Sequence, residues 1–210
     1  LGDLAHSLKT PLAVLRTTVD RGTLSDSADA ALSESLDRLD ATINYQLHRA
    51  AAAGRSAIGG SFEIQIDIDR IVDSLRKVYA DRPISIGAEI QRGTRFRGDR
   101  GDLLEIVGNV ADNACKWARS EVRIDIGYRG DRNDPQRRSL VIEIRDDGTG
   151  MPEESITRAL QRGARLDEST AGHGIGLAVV KDLVEEVYNG ELLITSSPTG
   201  TLVAMVFEGY

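Results

Sequence analysis

Apolar residues recur at every third or fourth position in about the first 50 residues, which is the spacing of one face of an α-helix. The first stripe ends at Gly22, and a second follows Ser25 or Asp26, either of which can cap a helix N-terminus. The stripes are Leu4, Leu8, Leu12, Leu15 and Val19, and then Leu32, Leu36, Leu39, Ile43, Leu47 and Ala50. The second stripe steps by close to four and three, like a coiled-coil seam. The pattern predicts an all-α helical hairpin.

A hairpin of this size leaves its apolar face uncovered. A second copy would cover the face in a four-helix bundle, so we predict a homodimer through the hairpin. The alternative is that the face packs only on the rest of the same chain. The chain starts at Leu1 within a helical pattern and without Met, which predicts a fragment of a longer protein with a weaker dimer than the whole.

The composition and the spacing of apolar residues change after the hairpin. Residues 51–60 are small and glycine-rich, as in a hinge, and 129–138 are polar, as in an exposed loop. Strands are predicted at 84–90, 122–127, 140–145 and 202–207, with an alternating stretch at 62–68, and helices at 69–79, 103–117 and 175–188. Interleaved strands and helices indicate an α/β sandwich. We predict a hairpin domain at 1–53, a linker at 54–61 and a second domain at 62–210.

Composition excludes several classes of protein. The net charge of -7 argues against binding to nucleic acid or anionic lipid. No apolar run approaches the ~20 residues that span a bilayer, so this part of the protein is not expected to enter the membrane. The single cysteine, Cys115, cannot form an internal disulfide and is expected to be a buried small hydrophobe.

Four polar residues share one face of the helix predicted at 103–117. They are Glu105, Asn109, Asn113 and Lys116, at steps of four, four and three. Asparagine can offer an oxygen to Mg²⁺ and an amide to phosphate, and lysine supplies positive charge. A solvated helix face is the alternative, but asparagine is a poor helix former. The pattern therefore favours a binding face.

Two glycine-rich stretches complete a candidate nucleotide site. Asp146 follows a predicted strand and precedes Gly148 and Gly150, where a carboxylate can accept a hydrogen bond from an adenine amino group; a plain turn is the alternative. The stretch 172–177 enters an apolar helix, whose first N–H groups can hold phosphate. It matches neither the Rossmann nor the Walker pattern. Residues 151–171, with Arg162 and Arg165, suggest a mobile lid or simply a charged surface.

These three stretches resemble, in order, the N, G1 and G2 boxes of the Bergerat-type ATP-binding domain of histidine kinases, gyrase-like ATPases and chaperones. His6-Ser-Leu-Lys-Thr-Pro-Leu12 resembles the H box of histidine kinases, which the other ATPases lack. The stretches 1–15 and 113–117 are similar to the PhoQ type. The resemblance implies a helical hairpin, a four-helix bundle as the dimer, followed by an α/β sandwich of the Bergerat type.

The resemblance also implies the chemistry. His6 would be the phosphoacceptor, whose neutral imidazole attacks the γ-phosphate of ATP, with Lys9 and Thr10 on nearly the same helix face. Thr10 matches a position that orients water during dephosphorylation of the partner. Pro11 is expected to bend the helix beside His6.

ATP and Mg²⁺ are the implied cofactors. Asn109 and Glu105 would serve the metal, Lys116 phosphate, Asp146 adenine and Arg165 the lid. The full implied nucleotide-binding set is Asn109, Asn113, Lys116, Trp117, Asp146, Gly148, Gly150, Arg165, Gly172, His173, Gly174, Gly176 and Leu177.

The chain departs from the family pattern at a few positions. Ser7 stands where many relatives have an acidic general base, and Trp117 stands where tyrosine is usual. His173 replaces a glutamine that assists Mg²⁺; imidazole suits that ion poorly, so phosphate contact or solvent exposure is expected. Thr170 lies near the place of a second lid arginine, which implies modest ATP affinity.

The resemblance therefore predicts the cytoplasmic catalytic portion of a bacterial inner-membrane sensor histidine kinase. Its partner would be the receiver domain of a response regulator, which it phosphorylates on aspartate. Dephosphorylation of that regulator through Thr10 is the second activity that the resemblance implies. The alternatives are an ATP-binding module without kinase activity, acting as scaffold or phosphatase, and a gyrase-like or chaperone-like ATPase that hydrolyses ATP without His6.

Overall fold

A computed structural model describes residues 60–131, 134, 137–160 and 176–210, with the backbone alone for Arg158. All described residues belong to one compact unit. The predicted hairpin at 1–53 and nearly all of the predicted linker lie outside them, so the helical bundle and the domain boundaries stay predictions. Within the described part, no helix is long and apolar enough to cross a membrane.

The described chain alternates between strands and helices. The strands are β1 Ser61–Glu63, β2 Ser85–Ile90, β3 Arg95–Arg97, β4 Glu121–Gly130, β5 Arg138–Asp146, β6 Glu191–Ser197 and β7 Gly200–Glu208. The helices are α1 Gln65–Val78, α2 Arg100–Trp117, α3 Glu153–Ala159 and α4 Gly176–Lys181, which continues as a π-helix over Asp182–Val187.

Five strands form a mixed sheet in the order β2-β4-β5-β7-β6. β2 runs parallel to β4 and the other neighbours are antiparallel, while β1 and β3 form a separate two-stranded sheet. Along β4 the alternate residues Val122, Ile124 and Ile126 are buried, and Arg123 on the opposite face is exposed. Because α1 contacts β2 and α2 contacts β4 and β5, the helices cover the apolar face and the fold is an α/β sandwich.

The alternating stretch at 62–68 is mostly helical, so the strand prediction there is wrong beyond Glu63. Ile64 and Ile68 are fully buried, and Val72 continues the same stripe, whereas Ile66 is 65% exposed. Residues 64 and 68 satisfy both a two-residue and a four-residue period. The helical period prevails because it extends the stripe along α1, while Ile66 points to water.

The predicted strands at 84–90, 122–127, 140–145 and 202–207 and the predicted helix at 103–117 are confirmed within a few residues. β3, β6 and α3 were not predicted. β6 is an edge strand with Glu191, Leu193 and Thr195 exposed along one side, so its sequence lacks a strong alternation of apolar and charged residues. β4 and β5 extend further than predicted and shorten the polar loop between them to residues 131–137.

The carboxylate of Asp147 joins the end of β5 to the turn between α2 and β4. It accepts the backbone N–H groups of Arg119 at 2.8 Å, Ser120 at 3.0 Å and Glu121 at 3.1 Å, and the Ser120 hydroxyl at 2.5 Å. Desolvation opposes ionisation, but the four donors outweigh it and hold the pKa of Asp147 well below its usual range.

The turn after Asp147 can be made only with glycine at two positions. A Cβ on Gly148 would lie 2.5 Å from the carbonyl oxygen of Trp117 at the end of α2. Gly150 has φ +73, and a Cβ there would overlap the carbonyl group of Ser197. The turn is therefore pressed against α2 on one side and β6 on the other.

Replacing Asp147 with Asn should lower the free energy of unfolding by about 1–2 kcal/mol, because an amide accepts fewer of these hydrogen bonds and carries no charge. Since folding lowers the pKa of Asp147, its contribution is complete above the unfolded value of about 4 and is lost as the pH falls through the folded-state value. Urea denaturation of both proteins at pH 7 and in acid measures this; the difference should shrink in acid. Asp125→Asn, at a surface ion pair with Arg123, is the control and should change little. An equal loss in both variants would contradict the assignment.

Two glycine-to-alanine changes should have opposite effects. Gly148→Ala should destabilise the fold by about 2 kcal/mol or more, because the new methyl group meets the Trp117 carbonyl. Gly108 lies inside α2 with nothing within 4 Å of its Cβ position, so Gly108→Ala should stabilise the fold by roughly 0.5–1 kcal/mol. Thermal denaturation compares them, and a stable Gly148→Ala protein would show that the turn can move away from α2.

Candidate nucleotide-binding site

The helix α2 separates an apolar side from a polar one. Asp99 caps its N-terminus by accepting the N–H groups of Gly101 at 2.8 Å and Asp102 at 3.4 Å. The buried side consists mainly of Leu103, Ile106, Val107, Val110, Ala111, Ala114 and Cys115. The four predicted site residues Glu105, Asn109, Asn113 and Lys116 are only partly buried. The sequence folds this way because its apolar residues recur at every third or fourth position, which places them on one side of the helix.

Gly176, the first residue of α4, lies directly against α2. A Cβ on Gly176 would be 3.0 Å from Oδ1 of Asn109, so the absence of a side chain permits this approach. Leu177, the next residue, is 7% exposed and its side chain packs in the core, so only its backbone could contact a ligand. The structure thus brings together Asn109 and Gly176, which are far apart in sequence.

Asp146 is the last residue of β5 and only 8% exposed. Its Oδ1 accepts the N–H of Gly148 at 2.8 Å and that of Thr201 at 3.4 Å. Burial raises the pKa of Asp146 despite these two hydrogen bonds, which favour the charged form. A carboxylate that is held by its own turn on one oxygen can accept a further hydrogen bond on the other.

Gly148 and Trp117 connect this carboxylate with α2. A Cβ on Gly148 would lie 2.5 Å from the Trp117 carbonyl oxygen and 2.7 Å from Oδ1 of Asp146, so only glycine fits between them. The Trp117 side chain is 43% exposed at the C-terminal end of α2. Gly150 closes the turn by positioning Met151, whose N–H donates to the Ser196 hydroxyl at 2.6 Å.

Lys116 makes an ion pair within its own helix. Its Nζ lies 2.6 Å from Oδ2 of Asp112, and the Tyr79 hydroxyl donates to Oδ1 of Asp112 at 2.7 Å. Burial, followed by the hydrogen bond to Asp112, raises the pKa of Tyr79 above its usual range, so the phenol stays a donor. The lysine predicted to meet phosphate is therefore already paired.

Arg82, in the loop after α1, is a site-supporting residue that the sequence did not reveal. Its guanidinium donates to the carbonyl oxygens of Cys115 at 2.5 Å, Lys116 at 2.8 Å and Ala118 at 2.7 Å. The cation donates hydrogen bonds to carbonyl groups that have no partner within the helix, and its charge is attracted to the negative end of the helix dipole. A basic residue in a loop gives no sign of a partner more than 30 residues away, so only the fold identifies this role.

The remaining predicted site residues lie outside the described residues. They are His6, Lys9, Thr10, Arg165, Gly172, His173 and Gly174. Most of the predicted lid, including Arg162, also lies outside, and its first part forms α3. Among the described residues no group of three or more His, Cys, Asp or Glu side chains is placed to hold a metal ion.

Comparison with known proteins agrees with this geometry. A family model described as "Histidine kinase-, DNA gyrase B-, and HSP90-like ATPase" matches residues 98–208, more than half of the chain. Sensor protein kinase CarS of Pseudomonas aeruginosa is 35% identical over 205 residues, which cover 96% of this chain and 44% of that protein. Sensor protein PhoQ of Escherichia coli is 34% identical over 206 residues, covering 95% and 40%. The chain thus spans less than half the length of these curated relatives.

Solved structures show the same fold. Acinetobacter baumannii histidine kinase AdeS gives a TM-score of 0.69 at 14% identity, covering 97% of this chain and 98% of that one. A mycobacterial sensor histidine kinase, MprB, gives 0.58 at 26% identity, covering 72% and 98%. The resemblance to sensor histidine kinases, including the PhoQ type, is confirmed. The chain belongs to the family of histidine kinase-, DNA gyrase B- and HSP90-like ATPases.

Proposed function

We propose that this chain is the catalytic portion of a bacterial sensor histidine kinase, which phosphorylates its own His6 with Mg-ATP. The observation that carries the proposal is the approach of two glycines, distant in sequence, to α2. Gly148 approaches the end of α2 at Trp117, and Gly176 approaches the middle at Asn109. Backbone without side chains on both sides of a polar helix face leaves room for a nucleotide.

The described residues supply a chemically suitable set of contacts for ATP. Oδ2 of Asp146 is the oxygen that we assign to the adenine amino group, because the hydrogen bonds from Gly148 in the turn and from Thr201 in β7 both fall on Oδ1. The exposed Trp117 ring offers an apolar surface beside it. Asn113 and Lys116 would meet the phosphates, together with the N–H groups at the start of α4. Gly172, His173 and Gly174, which lie outside the described residues, would add further contacts to the phosphates. Arg165 of the predicted lid would contact the bound nucleotide.

The donor set fits Mg²⁺ bound with the nucleotide. Asn109 and Glu105 lie one turn apart on α2, and their side-chain oxygens are ligands that Mg²⁺ accepts. Mg²⁺ usually takes one or two protein ligands plus phosphate oxygens and waters, so no larger cluster is required. When bound, the ion would neutralise charge on the phosphates during transfer.

Phosphoryl transfer would take place on His6. A ring nitrogen of His6 forms a bond to the γ-phosphorus while the bond from that phosphorus to the bridging oxygen breaks, and ADP leaves. Lys9 and Thr10 would flank the histidine on the same helix face. The phosphoryl group would then pass to an aspartate of a response-regulator receiver domain. Thr10 would support the opposing activity, in which water attacks that aspartyl phosphate and releases inorganic phosphate.

The relatives named as sensor proteins support the setting of this reaction. We place the chain on the cytoplasmic side of an inner-membrane protein, as a homodimer through the hairpin at 1–53, with 54–61 as the linker.

A second candidate is an ATP-binding module without kinase activity. Ser7 favours it, since a hydroxyl replaces the acidic residue that many relatives carry as a base beside the histidine.

Substitution of His6 separates these functions. His6→Gln should abolish acid-labile phosphorylation of the chain by labelled ATP, because the nucleophile is lost. His48→Gln is the matched control and should keep normal labelling. ATP hydrolysis that continues unchanged in His6→Gln would indicate a gyrase-like ATPase. Binding of ATP without any label in the unaltered chain would indicate the module without kinase activity.

Substitution of Asp146 tests the adenine contact. Asp146→Asn should weaken ATP binding about tenfold, through loss of a charged acceptor, while the amide oxygen still accepts the Gly148 N–H. Because burial raises the pKa of Asp146, binding to the unaltered chain should weaken with acidification at a higher pH than for an ordinary aspartate. Calorimetric titration at several pH values measures both. Equal ATP affinity for Asp146→Asn would place adenine elsewhere.

A further inference from the structure

Asp112 occupies a central place beside the site without belonging to the implied nucleotide set. Its two oxygens have different partners: Oδ2 lies 2.6 Å from Nζ of Lys116, and Oδ1 accepts the Tyr79 hydroxyl at 2.7 Å. The side chains of Lys116 and Asp112 are 25% and 37% exposed. Water therefore screens the pair only in part.

Lys116 lies between two faces of α2. At about 100° per residue, Asn113 is about 40° from Asn109 in one direction, and Lys116 and Asp112 are about 20° and 60° from it in the other. Gly176 of α4 approaches the helix at Asn109, whereas Tyr79 approaches at Asp112 from the α1 side. The ion pair thus draws the ammonium group toward α1 and away from the face with the asparagines.

We propose that Asp112 competes with the nucleotide phosphates for Lys116 and thereby sets ATP affinity below what the site would otherwise reach. This rests on the proposed function, in which Lys116 contacts phosphate. Asp112 would act as a positioning residue that holds the lysine on the α1 side until a polyphosphate binds and the ammonium group pairs with it instead.

The competing carboxylate is fixed in place. The Tyr79 hydroxyl donates to Oδ1 and also lies 3.4 Å from the Asp112 carbonyl oxygen, and this contact favours the carboxylate position on the α1 side. Arg82 fixes the backbone from the other end by binding the carbonyl of Lys116 and its neighbours. Lys116 must therefore exchange one anion for another.

Nucleotide titration of matched variants tests the proposal. Asp112→Asn removes the charge but keeps an acceptor for Tyr79, and it should tighten ATP binding about fivefold, a typical effect of one partly screened charge. Adenosine, which has no phosphate, should bind with unchanged affinity. Asp125→Asn is the control, since it removes one carboxylate charge from the surface pair with Arg123 and leaves the pair of Asp112 with Lys116 intact; its ATP affinity should stay within about twofold.

Lys116→Met shows whether the effect passes through the lysine. Lys116→Met should weaken ATP binding, and Asp112→Asn should add little tightening in that background, about twofold at most. Weaker ATP binding by Asp112→Asn, equal tightening of adenosine, or full tightening without Lys116 would each overturn the proposal. An unaltered chain that neither binds ATP nor labels His6 would instead contradict the proposed function itself. Thermal denaturation of each variant checks that it is folded.

Discussion

The described structure depends most on the close joining of β5, α2 and β4 at one end of the sheet. Asp147 makes this junction by binding three backbone N–H groups and a hydroxyl of the segment that follows α2. Its charge is retained because those donors replace water. Gly148, the next residue, can then approach the Trp117 carbonyl, and Asp146 on the other side is held at the mouth of the site. One short turn therefore fixes both the sheet and the carboxylate assigned to adenine.

The C-terminal end of α2 is reinforced from the opposite direction. Arg82 binds three carbonyl oxygens there, and Tyr79 binds Asp112 one turn earlier. Both residues come from the end of α1 and its loop. A helix carrying two asparagines and an internal glycine has a low intrinsic tendency to form, so its order comes from packing and from these contacts. Because these contacts hold α2 in place, its polar face can carry asparagines, which are poor helix formers.

Much of the fold could be predicted from the spacing of apolar residues. The α2 stripe and the central strands β4, β5 and β7 have a single consistent period, and they agree with the structure within a few residues. The error at 65–68 arose because Ile64 and Ile68 fit both periods, while Ile66 completes an alternation typical of a strand. The edge strand β6 escaped prediction because one of its faces is exposed to water and lacks a contrasting pattern. Local sequence fails where burial by distant elements decides the outcome.

The sequence alone determined which residues carry chemistry: the asparagines of α2, the Asp-Gly turn and the glycine stretch, each with a type and spacing suited to phosphate or adenine. It also determined the family, since these motifs occur in a fixed order. Only the tertiary structure decided which of them meet, such as Asn109 with Gly176, and which partners they already have. Lys116 is the clearest case, because its pairing with Asp112 and the anchoring of Asp112 by Tyr79 depend on how α1 packs against α2. Residue type sets what a group can bind, while packing sets what competes for it.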